Sequence, residues 1–204
     1  MNEGRVRTAA LISGRGSNLE ALVRAAQSDP AYPAEIVLVL SNRPDAAGLE
    51  IARSLGVEAA AVDHRAFGGD RAGHEAALNA LLEGAGVELV ALAGYMRILT
   101  PAMTGRWARR MVNIHPSLLP HFPGLDTHAR ALAAGHMTHG ATVHWVTEGL
   151  DSGPPIARAE TPILPTDTAD SLAARVLALE HPLYVEALAQ AARSLRPTRT
   201  PPQG

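Results

Sequence analysis

The chain has 204 residues, 47% of them hydrophobic, and a net charge of −2; this is enough for one sizeable core and offers no basic field to a nucleic-acid backbone or an anionic membrane. It contains no cysteine and all 18 of its basic side chains are arginine, which excludes thiolate chemistry, disulfides, Schiff-base lysines and the lysine of a P-loop. No apolar run reaches the ~18 residues of a membrane span, and the run after Arg5 and Arg7 is shorter than the ~7–15 residues of a signal segment, so a cytoplasmic protein acting on small molecules is expected.

Residues 8–12 (T-A-A-L-I) read as a first buried strand. The turn that follows, S-G-R-G-S-N-L-E at 13–20, carries two glycines and an S-x-x-E pair. A helix capped by Ser17 with Glu20 is expected, with Leu19, Leu22, Val23 and Ala26 as its apolar stripe. Such a turn offers free N–H groups and the positive end of the helix dipole to an anion; the alternative is a plain tight turn that binds nothing. The dinucleotide fingerprint is not met, because Leu19 stands where its third glycine would be. A mononucleotide-like phosphate fits better.

The unit then repeats. Strands are expected over residues 35–40, 57–62 and 88–93, and helices over about 46–55 and 71–82, with a loop at 63–69. Thr100 before Pro101 marks a helix ending near Arg109. Residues 111–114 form another strand and enter P-S-L-L-P-H-F-P-G at 116–124, whose three prolines and glycine forbid a helix. Strands at 141–146 and 156–160 read as a hairpin, and Thr168 caps a last helix with Leu172, Val176, Leu179 and Leu183 inward. Residues 1–195 read as one domain, and the proline-rich stretch 196–204 as a disordered tail. The fold class is α/β: an open, mostly parallel, Rossmann-like sheet with helices on both faces and a C-terminal hairpin. Ligands of such sheets bind beyond the carboxyl ends of the strands, where the turn at 14–18 and His115 both fall.

In an extended strand, residues two apart share a side, so Asn113 and His115 point the same way. An amide beside an imidazole at a strand end suits acid–base work on a polarised group. Asp151, in the Gly/Pro-rich loop 147–155, either turns a carboxylate inward or simply forms the turn. Histidines 128, 136, 139 and 144 hold no zincin spacing on an expected helix, and no metal is expected.

Taken together, S-G-R-G-S-N-L-E at 13–20, A-G-Y-M-R-I-L-T-P at 93–101, N-I-H-P-S-L-L-P-H-F-P-G at 113–124 and L-D-S-G-P at 150–154 resemble the glycinamide ribonucleotide formyltransferases, folate-dependent enzymes of de novo purine synthesis. The likeness runs from about residue 7 to 188. It implies direct transfer of the formyl group of 10-formyltetrahydrofolate to the amine of glycinamide ribonucleotide, through a tetrahedral intermediate and without metal. By resemblance, Asn113 would bond the formyl oxygen, His115 would handle protons and Asp151 would hold His115. Gly16, Ser17 and Asn18 would take the substrate phosphate and Glu180 the ribose. Met96, Arg97, Ile98 and Leu99, with Asn113 and the loop of Thr147, Glu148, Gly149, Leu150 and Asp151, would line the folate pocket, and Arg71 would meet the folate glutamate. Where relatives often carry a second histidine this chain has Asp126, and His121 stands where a lysine is frequent. A methionyl-tRNA formyltransferase is expected to add a C-terminal RNA-binding domain and a basic surface, and a formyltetrahydrofolate hydrolase an N-terminal regulatory domain; neither is expected here. A non-catalytic nucleotide-binding module would leave the Asn113, His115 and Asp151 set without a purpose. A monomer or a homodimer is expected.

Overall fold

Apolar side chains at consecutive positions build both faces of the central sheet. In β1 (Val6–Ile12), Ala10 and Ile12 face one layer while Ala9 and Leu11 face the other, and all four are fully buried. A strand needs this pattern only when both of its faces are covered. The computed structural model, which describes residues 4–196, completes the sheet with β2 (Ala34–Ser41), β3 (Glu58–Ala61), β4 (Leu89–Leu92), β5 (Met111–His115), β6 (Thr138–Trp145) and β7 (Pro155–Pro162). The strand order is β3-β2-β1-β4-β5-β6-β7, with the first five parallel and β6 and β7 antiparallel to their neighbours. The expected mostly parallel sheet with its C-terminal hairpin is therefore present. Within the described residues, no helix is long and apolar enough to cross a membrane.

The first layer is built by α1 (Ser17–Ser28), α2 (Ala47–Ser54) and α6 (Ala169–Leu195), through Leu19, Leu22, Leu49, Leu172 and Val176. The second is built by α3 (Arg71–Gly84) and α4 (Pro101–Arg106), through Leu78, Leu82, Met103 and Trp107. Each fully buried leucine of this kind contributes roughly 1.5–3 kcal/mol by leaving water. Val112 and Ile114 of β5 enter the first layer and Met111 the second. Asn113 and His115 thus lie on the second-layer side, past the reach of its two helices.

Several expected boundaries move. Ser17 does not cap α1: the N-cap is Gly16, left-handed at φ 83°, and the Glu20 carboxylate pairs with Arg24 instead of closing a capping box. The loop at 63–69 contains a 3-10 turn over His64–Phe67, capped by Asp63. A short helix, α5 (Thr127–Ala133), follows the proline-rich loop and had no periodic stripe to announce it. Thr100 caps α4 by accepting the Met103 N–H, but the helix ends at Arg106, and Arg109 has turned left-handed at φ 58°. On α6 the buried position is taken by Glu180, with Leu179 half-buried. Of the expected tail, Arg196 pairs with Glu88, and residues 197–204 lie outside the described part.

Candidate active site

The chain winds from β1 outward to β3, then returns to place β4 and β5 on the other side of β1. That reversal opens a crevice between the carboxyl ends of β1 and β4. The turn after β1 and the end of β5 flank β4, so they sit about 10 Å apart at ~4.8 Å per strand.

The first side of the crevice is the start of α1. Glu20 is the first residue to bond back, to the Gly16 carbonyl at 2.9 Å, so the N–H groups of Ser17, Asn18 and Leu19 have no helical partner. Gly16 is a glycine for two reasons. Its φ is 83°, and a Cβ there would lie 2.7 Å from the Cα of Gly48 at the start of α2. The Gly48 N–H in turn donates to the Gly14 carbonyl at 3.0 Å, fixing the turn from outside. Beside it the Asn18 amide donates to Glu180 Oε2 at 2.7 Å, a contact between α1 and α6. Burial pushes the Glu180 carboxyl above its ordinary value, against the weaker downward pull of the Asn18 hydrogen bond. Asn18 Oδ1 is buried with no partner among the described residues.

The second side is the end of β5. His115, 5% exposed, donates from Nε2 to the Phe122 carbonyl at 2.9 Å, and its Nδ1 lies 3.3 Å from Asp151 Oδ2. Asp151 also accepts the Gly124 N–H at 2.8 Å, so its loop and the proline-rich loop lock onto one another. Its backbone is left-handed at φ 48°, a conformation that Asp and Asn tolerate better than most residues. Burial pushes the Asp151 carboxyl up, but the neighbouring His144 imidazole, the Gly124 N–H and the His115 imidazole outweigh it and leave the pKa below the ordinary carboxylate range.

His144 completes the group. Antiparallel pairing sets it opposite Asn113, with its Nε2 at 3.2 Å from the Asn113 amide nitrogen and 3.7 Å from Asp151 Oδ1. Its Nδ1 lies 3.0 Å from the Trp145 carbonyl, which can only accept. The neutral ring therefore carries its proton on Nδ1 and accepts an Asn113 N–H at Nε2, which fixes the amide's rotation and leaves its second N–H for another acceptor. In the sequence His144 stands out only as one of four histidines that could suggest a metal. The signal for its place is its register against Asn113, which exists only once the strands pair.

Between the two sides runs the segment after β4. Met96 and Ile98 are 71% and 62% exposed, Arg97 and Leu99 are half-buried, and Leu150 of the facing loop is 60% exposed. Thr147, Glu148 and Gly149 are exposed as well, with Thr147 Oγ1 lying 3.2 Å from Ser152 Oγ. Arg71 opens α3 on an exposed face and has no hydrogen-bond partner among the described residues. Three other histidines back the proline-rich loop: His139 Nε2 lies 3.1 Å from His128 Nδ1, and Phe122 packs edge-on against His136 and His139. Burial holds the His139 pKa down to about 4 and His128 below its usual value, so both are uncharged near neutral pH. Among the described residues no three His, Cys, Asp or Glu side chains form a metal-ligating group.

A family model described as formyl transferase matches residues 6–188. The trifunctional purine biosynthetic protein adenosine-3 of Drosophila melanogaster is 44% identical over 190 residues, 93% of this chain, which spans 14% of that relative's length. The phosphoribosylglycinamide formyltransferase of Escherichia coli (strain K12) is 42% identical over 174 residues, covering 85% of this chain and 81% of that protein. Among solved structures, a phosphoribosylglycinamide formyltransferase from Brucella melitensis superposes with a TM-score of 0.88 at 48% identity, over 93% of this chain and 96% of that one. Glycinamide ribonucleotide transformylase 1 from Symbiobacterium toebii does so with a TM-score of 0.89 at 44% identity, over 93% and 89%.

Proposed function

Because this chain belongs to the formyl transferase family, we propose that it transfers the formyl group of a folate-type donor, 10-formyltetrahydrofolate, to the amine of N1-(5-phospho-D-ribosyl)glycinamide. The observation that carries the reading is the convergence of Asn113, His115, His144 and Asp151 beside the crevice that holds the α1 turn. Unpartnered N–H groups of Ser17 and Asn18 suit a phosphate. Glu180 and Asn18 Oδ1 are both acceptors and suit ribose hydroxyls, which donate. The exposed apolar side chains of Met96, Ile98 and Leu150, edged by backbone polar groups, suit a flat heteroaromatic ring.

The roles of the residues follow from their hydrogen bonds. As the amine attacks, negative charge grows on the formyl oxygen, and the free N–H of Asn113, aimed by His144, meets it; such a pre-aimed donor supplies about 3–4 kcal/mol elsewhere. His115 moves the proton that the amine must lose and the leaving nitrogen must gain. Its Nδ1 faces Asp151, so the Nε2 bond to Phe122 is the one exchanged for a substrate atom. Asp151 holds the ring in place and stabilises its charged form. Arg71 reaches toward the glutamate of the donor. On this reading residues 1–195 act as one domain in the cytoplasm, as a monomer or homodimer, on small molecules and without metal.

The test is to mix the chain with 10-formyltetrahydrofolate and follow the deformylated folate with and without the ribonucleotide. Release that requires the ribonucleotide is the expected result. Release that ignores it would make the chain a hydrolase, and no release a binding module.

A further inference from the structure

The segment joining β4 to α4 is fastened at both ends by buried polar groups that the chemistry above does not use. At its start the Ser13 hydroxyl accepts the Met96 N–H at 2.7 Å and donates to Asn42 Oδ1 at 2.5 Å, while the Ser13 N–H donates to the Gly94 carbonyl at 3.1 Å. At its end the Glu75 carboxylate, 6% exposed, accepts the Thr100 N–H at 2.8 Å and the Thr100 hydroxyl. Between the two fastenings Tyr95 is buried, its hydroxyl without a partner among the described residues, while Met96 and Ile98 project outward.

Packing gives no reason for a carboxylate at Glu75. The core contacts of α3 are made by Leu78 and Leu82, and burying an acid is unfavourable unless it is hydrogen-bonded. Its only hydrogen bonds in the described structure run to Thr100. An apolar side chain could fill the space but could not fix the backbone that presents Met96 and Ile98. A segment fixed in advance has less freedom to lose when a ligand settles on it.

We infer that Glu75 is a positioning residue of the donor pocket: by clamping Thr100 while Ser13 holds Met96, it pre-sets the segment 96–99 on which the folate ring rests. The inference builds on the proposed role of that segment. Glu75 touches no substrate and acts through Thr100, so removing it should alter donor binding and leave acceptor binding and chemistry alone.

Steady-state kinetics of the full chain with 10-formyltetrahydrofolate and the ribonucleotide test this, alongside thermal melting. Glu75→Ala removes both hydrogen bonds to Thr100 and is expected to raise KM for the donor about tenfold, less than their full worth because the freed segment can still reach the bound conformation. KM for the ribonucleotide and kcat should stay within about twofold. Glu75→Gln keeps an acceptor for the Thr100 N–H and should fall between the two. Thr100→Val removes the hydroxyl from both the Glu75 carboxylate and the cap of α4. It should lower the melting temperature and raise the donor KM about threefold with the ribonucleotide KM unchanged, so the clamp is tested even if Glu75→Ala does not fold. Thr100→Ser, which keeps the hydroxyl, should stay near the parent in both. An unchanged donor KM in folded Glu75→Ala or Thr100→Val would overturn the clamp, as would a parallel rise in both KM values. A parent chain without turnover would instead overturn the proposed function, so the two failures are distinguishable.

Discussion

Replacing Asp151 with asparagine removes one charge and almost nothing else. Asn tolerates the left-handed backbone at φ 48° and can still accept the Gly124 N–H. What disappears is the carboxylate's attraction for a protonated His115, whose Nδ1 is 3.3 Å away. Two unit charges at 3.3 Å interact by about 5 kcal/mol at an effective dielectric of ~20, and by about 1.3 kcal/mol in bulk water. The two side chains are 7% and 9% exposed, so water screens them only partly. An intermediate loss of about 3 kcal/mol corresponds to roughly a 10²-fold fall in kcat. Initial rates of deformylated-folate release at saturating donor and ribonucleotide measure it, with a melting curve to show that the fold survives. A folded Asp151→Asn variant with kcat within about threefold of the parent would refute the reasoning, because it would mean that the imidazolium forms without its counter-charge.

The remaining predictions concern the groups around that pair. His144→Ala deletes the acceptor that holds the Asn113 amide at 3.2 Å, and kcat should drop about tenfold with smaller changes in either KM; rates at saturation check it. Glu180→Gln should melt higher than the parent at pH 7, because burial raises the carboxyl pKa and its stabilising contribution is lost as pH rises through the folded value. The difference should vanish below about pH 4, near the unfolded carboxyl's pKa, while KM for the ribonucleotide rises; melting from about pH 3 to 8 reads the first and kinetics the second. Gly48→Ala sets a Cβ 2.5 Å from Ile12 Cδ1 and 3.1 Å from the Gly16 backbone. It should cost about 1–3 kcal/mol of stability by overpacking and raise KM for the ribonucleotide more than KM for the donor.

Much of this arrangement is legible in the residues alone. Strand and helix periods gave the layers, because sheet positions covered on both faces must be apolar at every step and helix positions only every third or fourth. Asn113 and His115 share a side by the pleat itself, so two residues of one strand suffice to find them. The misses are matters of distance along the chain. His144 reaches Asn113 from 31 residues away and Glu180 reaches Asn18 from 162, and no local pattern encodes either meeting. Glu180 came from family resemblance; His144, lying on an antiparallel strand whose register is set by pairing, came only from the fold. The helix at Thr127–Ala133 escaped because seven residues offer too little period. The cap at Gly16 escaped because a left-handed glycine can begin a helix without the side-chain bond that a capping box supplies.

The left-handed backbone at Asp151 also constrains how a chain like this one can change over evolutionary time. Only glycine, asparagine and aspartate sit there at little conformational cost, and of the three only aspartate carries a charge. Glutamate, the usual conservative exchange for an acid, is both too long and ill-suited to the backbone. Drift at this position therefore leads back to aspartate, to glycine with the Gly124 N–H left without its acceptor, or to asparagine in a chain that folds as before and has lost most of its turnover. A relative with the same sheet and loops and a neutral residue at this one position would be a candidate for a protein that keeps its ligands without turning them over.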